Sequence, residues 1–226
     1  MFLYQAGYLT QRQIIDENGN VEHYLTYPNN EVRAAMFQLT RNNFYSSFKV
    51  KDRNMVELAK CLKNEDYIGV LHVFNYAFSK IVYNDYTALC KKKDETPLEC
   101  FYRNSIYFLM YFAQLDVDVE PRGDIGRPDI LLRYDKKEIL FELKISKYGT
   151  VANVKTKFCE AIEQMNKYID SHENPIPICL AIDGKIRRIV LASIGDDVFR
   201  RTPQSGKRPA TFTKVGTIDK FARAKK

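Results

Sequence analysis

Histidine and cysteine are scarce in this chain, three and five among 226 residues. Cys61, Cys90, Cys100, Cys159 and Cys179 include no CxxC pair, and the histidines are isolated. Neither set has the spacing that structural zinc requires, and an odd thiol count argues against a disulfide framework. Each thiol is expected to be a small buried hydrophobe in an intracellular protein, cytoplasmic or nuclear. No stretch is long and apolar enough for a membrane span, and the apolar run at 106–113 suits a buried helix. The first residues carry neither a basic patch nor a small-residue cleavage site, so no secretory signal is expected. A GxxxxGK[ST] loop is missing too, which removes a P-loop nucleotide site. No internal repeat or low-complexity block is visible.

What is present is a soluble globular composition, 45% hydrophobic and 28% charged, with room for one large or two small domains. The net charge of +7 favours a polyanionic partner. Over 200–226 basic residues are frequent and Asp219 is the only acid. Such a segment can neutralise phosphates, and it is expected to be a flexible basic tail.

Patterning divides the rest at about residue 92. Residues 1–92 predict a hairpin, 11–15 with 21–27, around the Asn18-Gly19 turn signal. Helices over 31–46, 54–63 and 66–83 follow, the first with Asn30 as its N-cap. From 93 to 199, Leu98, Phe101, Tyr102, Ile106, Leu109 and Phe112 recur at helical spacing over 96–115. Strands are expected at 117–120, 128–134 and 138–146, a helix at 152–170, and strands at 176–183 and 186–193. The order is αβββαβ(β), an α/β fold with helices packed on a sheet.

The most informative stretch is PDILLRYDKKEILFELK, residues 128–144. Alternation places Glu142 and Lys144 on one strand face, roughly 6.5 Å apart along the strand, and a hairpin brings Asp129 beside them. Two carboxylates suit a hard divalent cation such as Mg²⁺, which takes one or two of them together with water and phosphate oxygens. A nearby lysine can orient water or stabilise charge on a phosphoryl group, so the chemistry implied is phosphodiester hydrolysis. The same three charges also suit a solvated sheet face carrying a surface ion pair.

Gly126-Arg127-Pro128-Asp129-Ile130 followed by Phe141-Glu142-Leu143-Lys144 resembles the PD-(D/E)XK nuclease superfamily, with Asp129, Glu142 and Lys144 on its acid, acid and lysine positions. More narrowly, the chain is similar to the branch in which this domain follows an AAA-type ATPase-like domain. Glu99-Cys100-Phe101-Tyr102 on the preceding helix matches that branch. So does Ala161-Ile162-Glu163-Gln164-Met165 with Tyr168, where Met165 replaces the usual isoleucine. The resemblance covers about residues 95–193. More loosely it takes in Leu3-Tyr4-Gln5-Ala6-Gly7-Tyr8-Leu9 and Pro28-Asn29-Asn30-Glu31-Val32-Arg33, which in the branch join the ATPase-like part to the nuclease.

The resemblance implies a restriction-endonuclease-like core with a mixed central sheet, and DNA as the substrate. It implies Mg²⁺ or Mn²⁺ held by Asp129, Glu142, Leu143 and Glu99, with Asp129, Glu142, Lys144 and Gln164 catalytic and Arg127 and Tyr168 on the nucleic acid. It leaves room for a homodimer and for an ATPase-like partner domain outside this chain. Several residues keep a second reading: Glu99 can serve the helix dipole, Glu120 is a third metal carboxylate or a turn charge, and Arg127 binds phosphate or pairs with an acid. Gln164 and Tyr168, neighbours on one helical face, meet phosphate or simply pack. Gly126 serves the sharp entry into the strand. Against the nuclease stands a catalytically inactive nuclease-like module that binds nucleic acid or a partner protein.

Overall fold

The computed structural model describes residues 2–15, 19, 21–44, 52–80, 96–121, 126–147, 149–205 and 209–223. The chain forms two compact units, Met1–Ser46 and Ser47–Lys226. In the first, α1 (Phe2–Gln5) precedes an antiparallel hairpin of β1 (Thr10–Ile15) and β2 (Val21–Thr26), then α2 (Asn30–Phe44). Asn18 of the expected turn lies outside the described residues. The cap of α2 is Asn29 rather than Asn30: its Oδ1 accepts from the Val32 amide at 2.9 Å, and the helix starts one residue earlier than expected.

The second unit opens with α3 (Asp52–Lys63) and α4 (Tyr67–Phe78), followed by α5 (Thr96–Phe112). Next come β3 (Asp116–Val119), β4 (Ile130–Tyr134) and β5 (Lys137–Ser146), then α6 (Val151–Met165). Strands β6 (Ile176–Asp183), β7 (Arg188–Ile194), β8 (Asp197–Thr202) and β9 (Thr211–Thr217) lead to α7 (Ile218–Arg223). One seven-stranded sheet runs in sequence order from β3 to β9. Every pairing is antiparallel except β5 with β6, where α6 supplies the crossover that parallel neighbours need.

Both faces of the sheet are covered, so β5 reads as an almost continuous apolar run with its charges set among them. Ile139, Phe141, Leu143 and Ile145 join the larger core, with Phe74 of α4 and Tyr102 and Ile106 of α5. Leu140 faces the other way, into Phe158, Ala161, Ile162 and Met165 of α6. Asn75 ties α4 to the sheet through two bonds to one residue: its Nδ2 donates to the Ile189 carbonyl at 3.2 Å, and its Oδ1 accepts from the Ile189 amide at 2.7 Å. Beside that contact the β6–β7 register shifts. Among the described residues no helix is long and apolar enough to cross a membrane.

The α/β architecture and the order of elements over 96–194 agree with the sequence reading. The division does not lie at residue 92, because Leu58 and Leu62 of α3 and Val70, Phe74 and Phe78 of α4 belong to the core under the sheet; residues 81–95 lie outside the described ones. The helix expected to run to residue 170 stops at Met165, and a separate 3-10 turn follows at Ile169–Ser171. From Arg200 onward the chain is not a free tail: β8 and β9 extend the sheet, and Phe212 is buried in its core.

Candidate active site

The β4–β5 hairpin turns at Asp135 and Lys136, both at positive φ (+48° and +63°), as a two-residue turn of the kind that matches strand twist requires. Ile130 pairs with Phe141, and both point into the larger core. Asp129, just before β4, and Glu142 therefore fall on the opposite face. Asp129 is buried; its Oδ2 accepts from the Leu143 amide at 2.7 Å, closing the ladder where β4 begins.

Glu142 is completely buried, and both its oxygens are engaged. Oε1 takes the Lys144 ammonium at 3.0 Å, and Oε2 accepts from the Tyr168 hydroxyl at 2.5 Å. Burial first, and then the Asp129 charge, push its carboxyl from the ordinary range up to about 7, against the opposing pull of Lys144 and Tyr168. The Tyr168 hydroxyl is itself pushed up, by burial and by the Glu142 charge. Lys144 also reaches Glu99 Oε1, at 3.1 Å, from the first turn of α5. Burial works against the ammonium, but Glu142 and Glu99 outweigh it and hold the group charged.

One turn further along α5 stands Arg103, which the sequence reading passed over. Its Nη1 bonds to Glu120 Oε1 and faces Asp129 Oδ1 at 3.4 Å. Among the described residues its buried Nε has no acceptor. A cation four residues after Glu99 shares a helical face with it, and that spacing was the available signal. Glu120 sits at φ +45°, and its amide donates to the Asp129 carbonyl at 3.1 Å.

Asp129, Glu142, Lys144, Glu99 and Tyr168 thus meet, joined by Arg103 and Glu120. They do not form an open edge: Glu142 has no exposed surface, and Glu99 and Glu120 are the outermost acids. Tyr168, expected on a nucleic-acid backbone, is 2% exposed and directs its hydroxyl inward. Gly126, at φ +146°, packs on the Tyr168 ring, where an added Cβ would approach Cδ1 to 3.2 Å. Gln164 is half-buried and Arg127 is exposed, and among the described residues neither bonds to these groups.

Among the described residues the cluster holds four carboxylates against two cations, a formal excess of two negative charges that Lys157, acting on Glu99, offsets in part. Burial raises the carboxyls of Asp129 and Glu99 as well as Glu142. Among the described residues no three His, Cys, Asp or Glu side chains stand ready around one point to hold a metal ion. The two carboxylates of Asp129 and Glu142 match in type the usual Mg²⁺ complement, with water and substrate oxygens filling the remainder. The donor chemistry and the excess negative charge both fit a divalent cation.

No family model matches the chain. It is similar to the uncharacterized protein in the vnfD 5′ region of Azotobacter chroococcum mcd 1, 26% identical over 143 residues. That match takes in 63% of this chain and 27% of the other protein, so the chain spans about a quarter of that relative's length. No solved structure matches.

Proposed function

We propose that this chain is a metal-dependent nuclease of the PD-(D/E)XK type that hydrolyses phosphodiester bonds of DNA, its αβββαβ segment forming a restriction-endonuclease-like core. The observation that carries the reading is the convergence of Asp129, Glu142 and Lys144 in one cluster where, among the described residues, carboxylates outnumber cations. Asp129 and Glu142 would hold Mg²⁺ or Mn²⁺, with the main chain at Leu143 and the Glu99 carboxylate beside them. Once bound, the ion supplies Lewis acidity and lowers the pKa of a coordinated water. Lys144, kept protonated between Glu142 and Glu99, presents an ammonium to charge developing on the phosphoryl group. Tyr168 fixes Glu142, and Arg127 and Gln164 remain available to substrate at the surface and on α6. Intracellular action, a homodimer and an ATPase-like partner domain belong to the same reading.

The test is plasmid nicking with Mn²⁺ or Mg²⁺. Wild type converts supercoiled DNA to open circles, and Asp129→Ala and Lys144→Ala each lose about 10²-fold or more in rate. Complete burial of Glu142 favours a second reading, an inactive nuclease-like module that binds nucleic acid or a partner protein. Under that reading wild type shows no cleavage with either metal, and both substitutions leave DNA binding as it was.

A further inference from the structure

One oxygen of Asp129 is committed to the Leu143 amide, and the other looks onto a single guanidinium nitrogen, Arg103 Nη1. That nitrogen is shared. It bonds to Glu120, the more exposed acid, and approaches buried Asp129 at 3.4 Å. At that length the second contact acts as a charge facing a charge more than as a directed hydrogen bond. The arrangement is held from both sides, since the Glu120 amide donates to the Asp129 carbonyl and fixes the two acids relative to each other. Arg103 Nη2 donates to Cys100 Sγ at 3.6 Å, but among the described residues its buried Nε has no acceptor. A cation shared between an outer and an inner acid occupies ground that a divalent ion at Asp129 would have to share.

We infer that Arg103 is a positioning residue that sets the protein's affinity for divalent cations. It is the resident counter-cation of Asp129, displaced when Mg²⁺ or Mn²⁺ binds, and Glu120 is the tether that draws it aside. This rests on the nuclease reading, which puts the ion at Asp129. The two partners of the bridge then have opposite effects. Without Arg103 the inner acid meets the ion with no competitor, and without Glu120 the guanidinium closes on Asp129 and competes harder.

Mn²⁺ titration of the intact chain by electron paramagnetic resonance at pH 8, without DNA, reads this directly. Arg103→Gln tightens Mn²⁺ binding about tenfold, as expected for removing one positive charge a few ångströms from the ion. Glu120→Gln weakens it severalfold, the double variant follows Arg103→Gln, and Arg103→Lys, which keeps the charge, stays near wild type. A merely structural Arg103 gives unchanged or weaker binding in Arg103→Gln, and that result overturns the inference, as does a shift of the same sign in both single variants. Wild type that nicks plasmid while its Mn²⁺ affinity ignores Arg103→Gln removes the inference and leaves the nuclease standing. Asp129→Asn with unaltered Mn²⁺ affinity removes both.

Discussion

The Tyr168 hydroxyl donates to Glu142 Oε2 in a space that solvent does not reach, so its removal strands a carboxylate oxygen that water cannot serve. Leaving a buried acceptor unpaired costs about 1–3 kcal/mol. Tyr168→Phe is therefore expected to lower unfolding stability by about that much in urea titration, with the slope unchanged. Helical spacing could not have found this contact. Gln164 and Tyr168 are four apart, which on one helix would make them neighbours, but α6 ends at Met165 and Tyr168 lies at φ −129° before the 3-10 turn. The break in the helix is what lets the ring reach Glu142, and Gln164 stays behind on α6. The acids and Lys144, by contrast, were legible from alternation on two short strands, since a two-residue period leaves few ways to place them. Arg103 was hidden because its partners, Glu120 and Asp129, come from another part of the chain.

Strands β4, β5 and β6 show in the sequence because their faces are apolar and buried. Strands β8 and β9 do not. Along β9 the outward residues are Thr211, Thr213, Lys214 and Val215, and Phe212 alone is fully buried, so charge and polarity mask the pattern. An edge strand with one covered face needs only one such anchor, which a reading by composition takes for a tail. Yet Phe212 belongs to the main core and stacks edge-on with His72, while Phe221 of α7 meets Phe158 of α6 with ring centroids 5.4 Å apart. Deleting residues 203–226 removes both aromatic anchors and bares the edge of β8. The expected loss is about 3 kcal/mol or more, the usual scale for truncating one buried aromatic, measured by thermal or urea unfolding; a flexible tail would leave the transition unmoved.

Across the whole molecule the net charge is +7, but the candidate site gathers negative charge, buried at Glu142 and Asp129 and exposed at Glu120. Its titration couples to folding. Glu142 moves up from 4.5 in the ordinary state to about 7 in the folded one, so the folded protein holds the extra proton between those values. The contribution to stability is complete below about pH 4.5 and is lost as the pH rises through 7. In EDTA the melting temperature of wild type should therefore fall between pH 5 and pH 8 more steeply than that of Glu142→Gln. Added Mg²⁺ should recover part of the loss at pH 8 in wild type, since a ligand of the folded state alone stabilises it.

The paired bonds between Asn75 and Ile189 bear on the same scale. They lie where the β6–β7 ladder is out of step, and they come from a helix rather than from a neighbouring strand. A strand that slips by one position exchanges its two faces, so the side-chain amide acts as an external pin on the alignment of β7. Because β6 lies between β7 and the strand bearing Glu142, the helix fixes the alignment of a strand two places away from that acid.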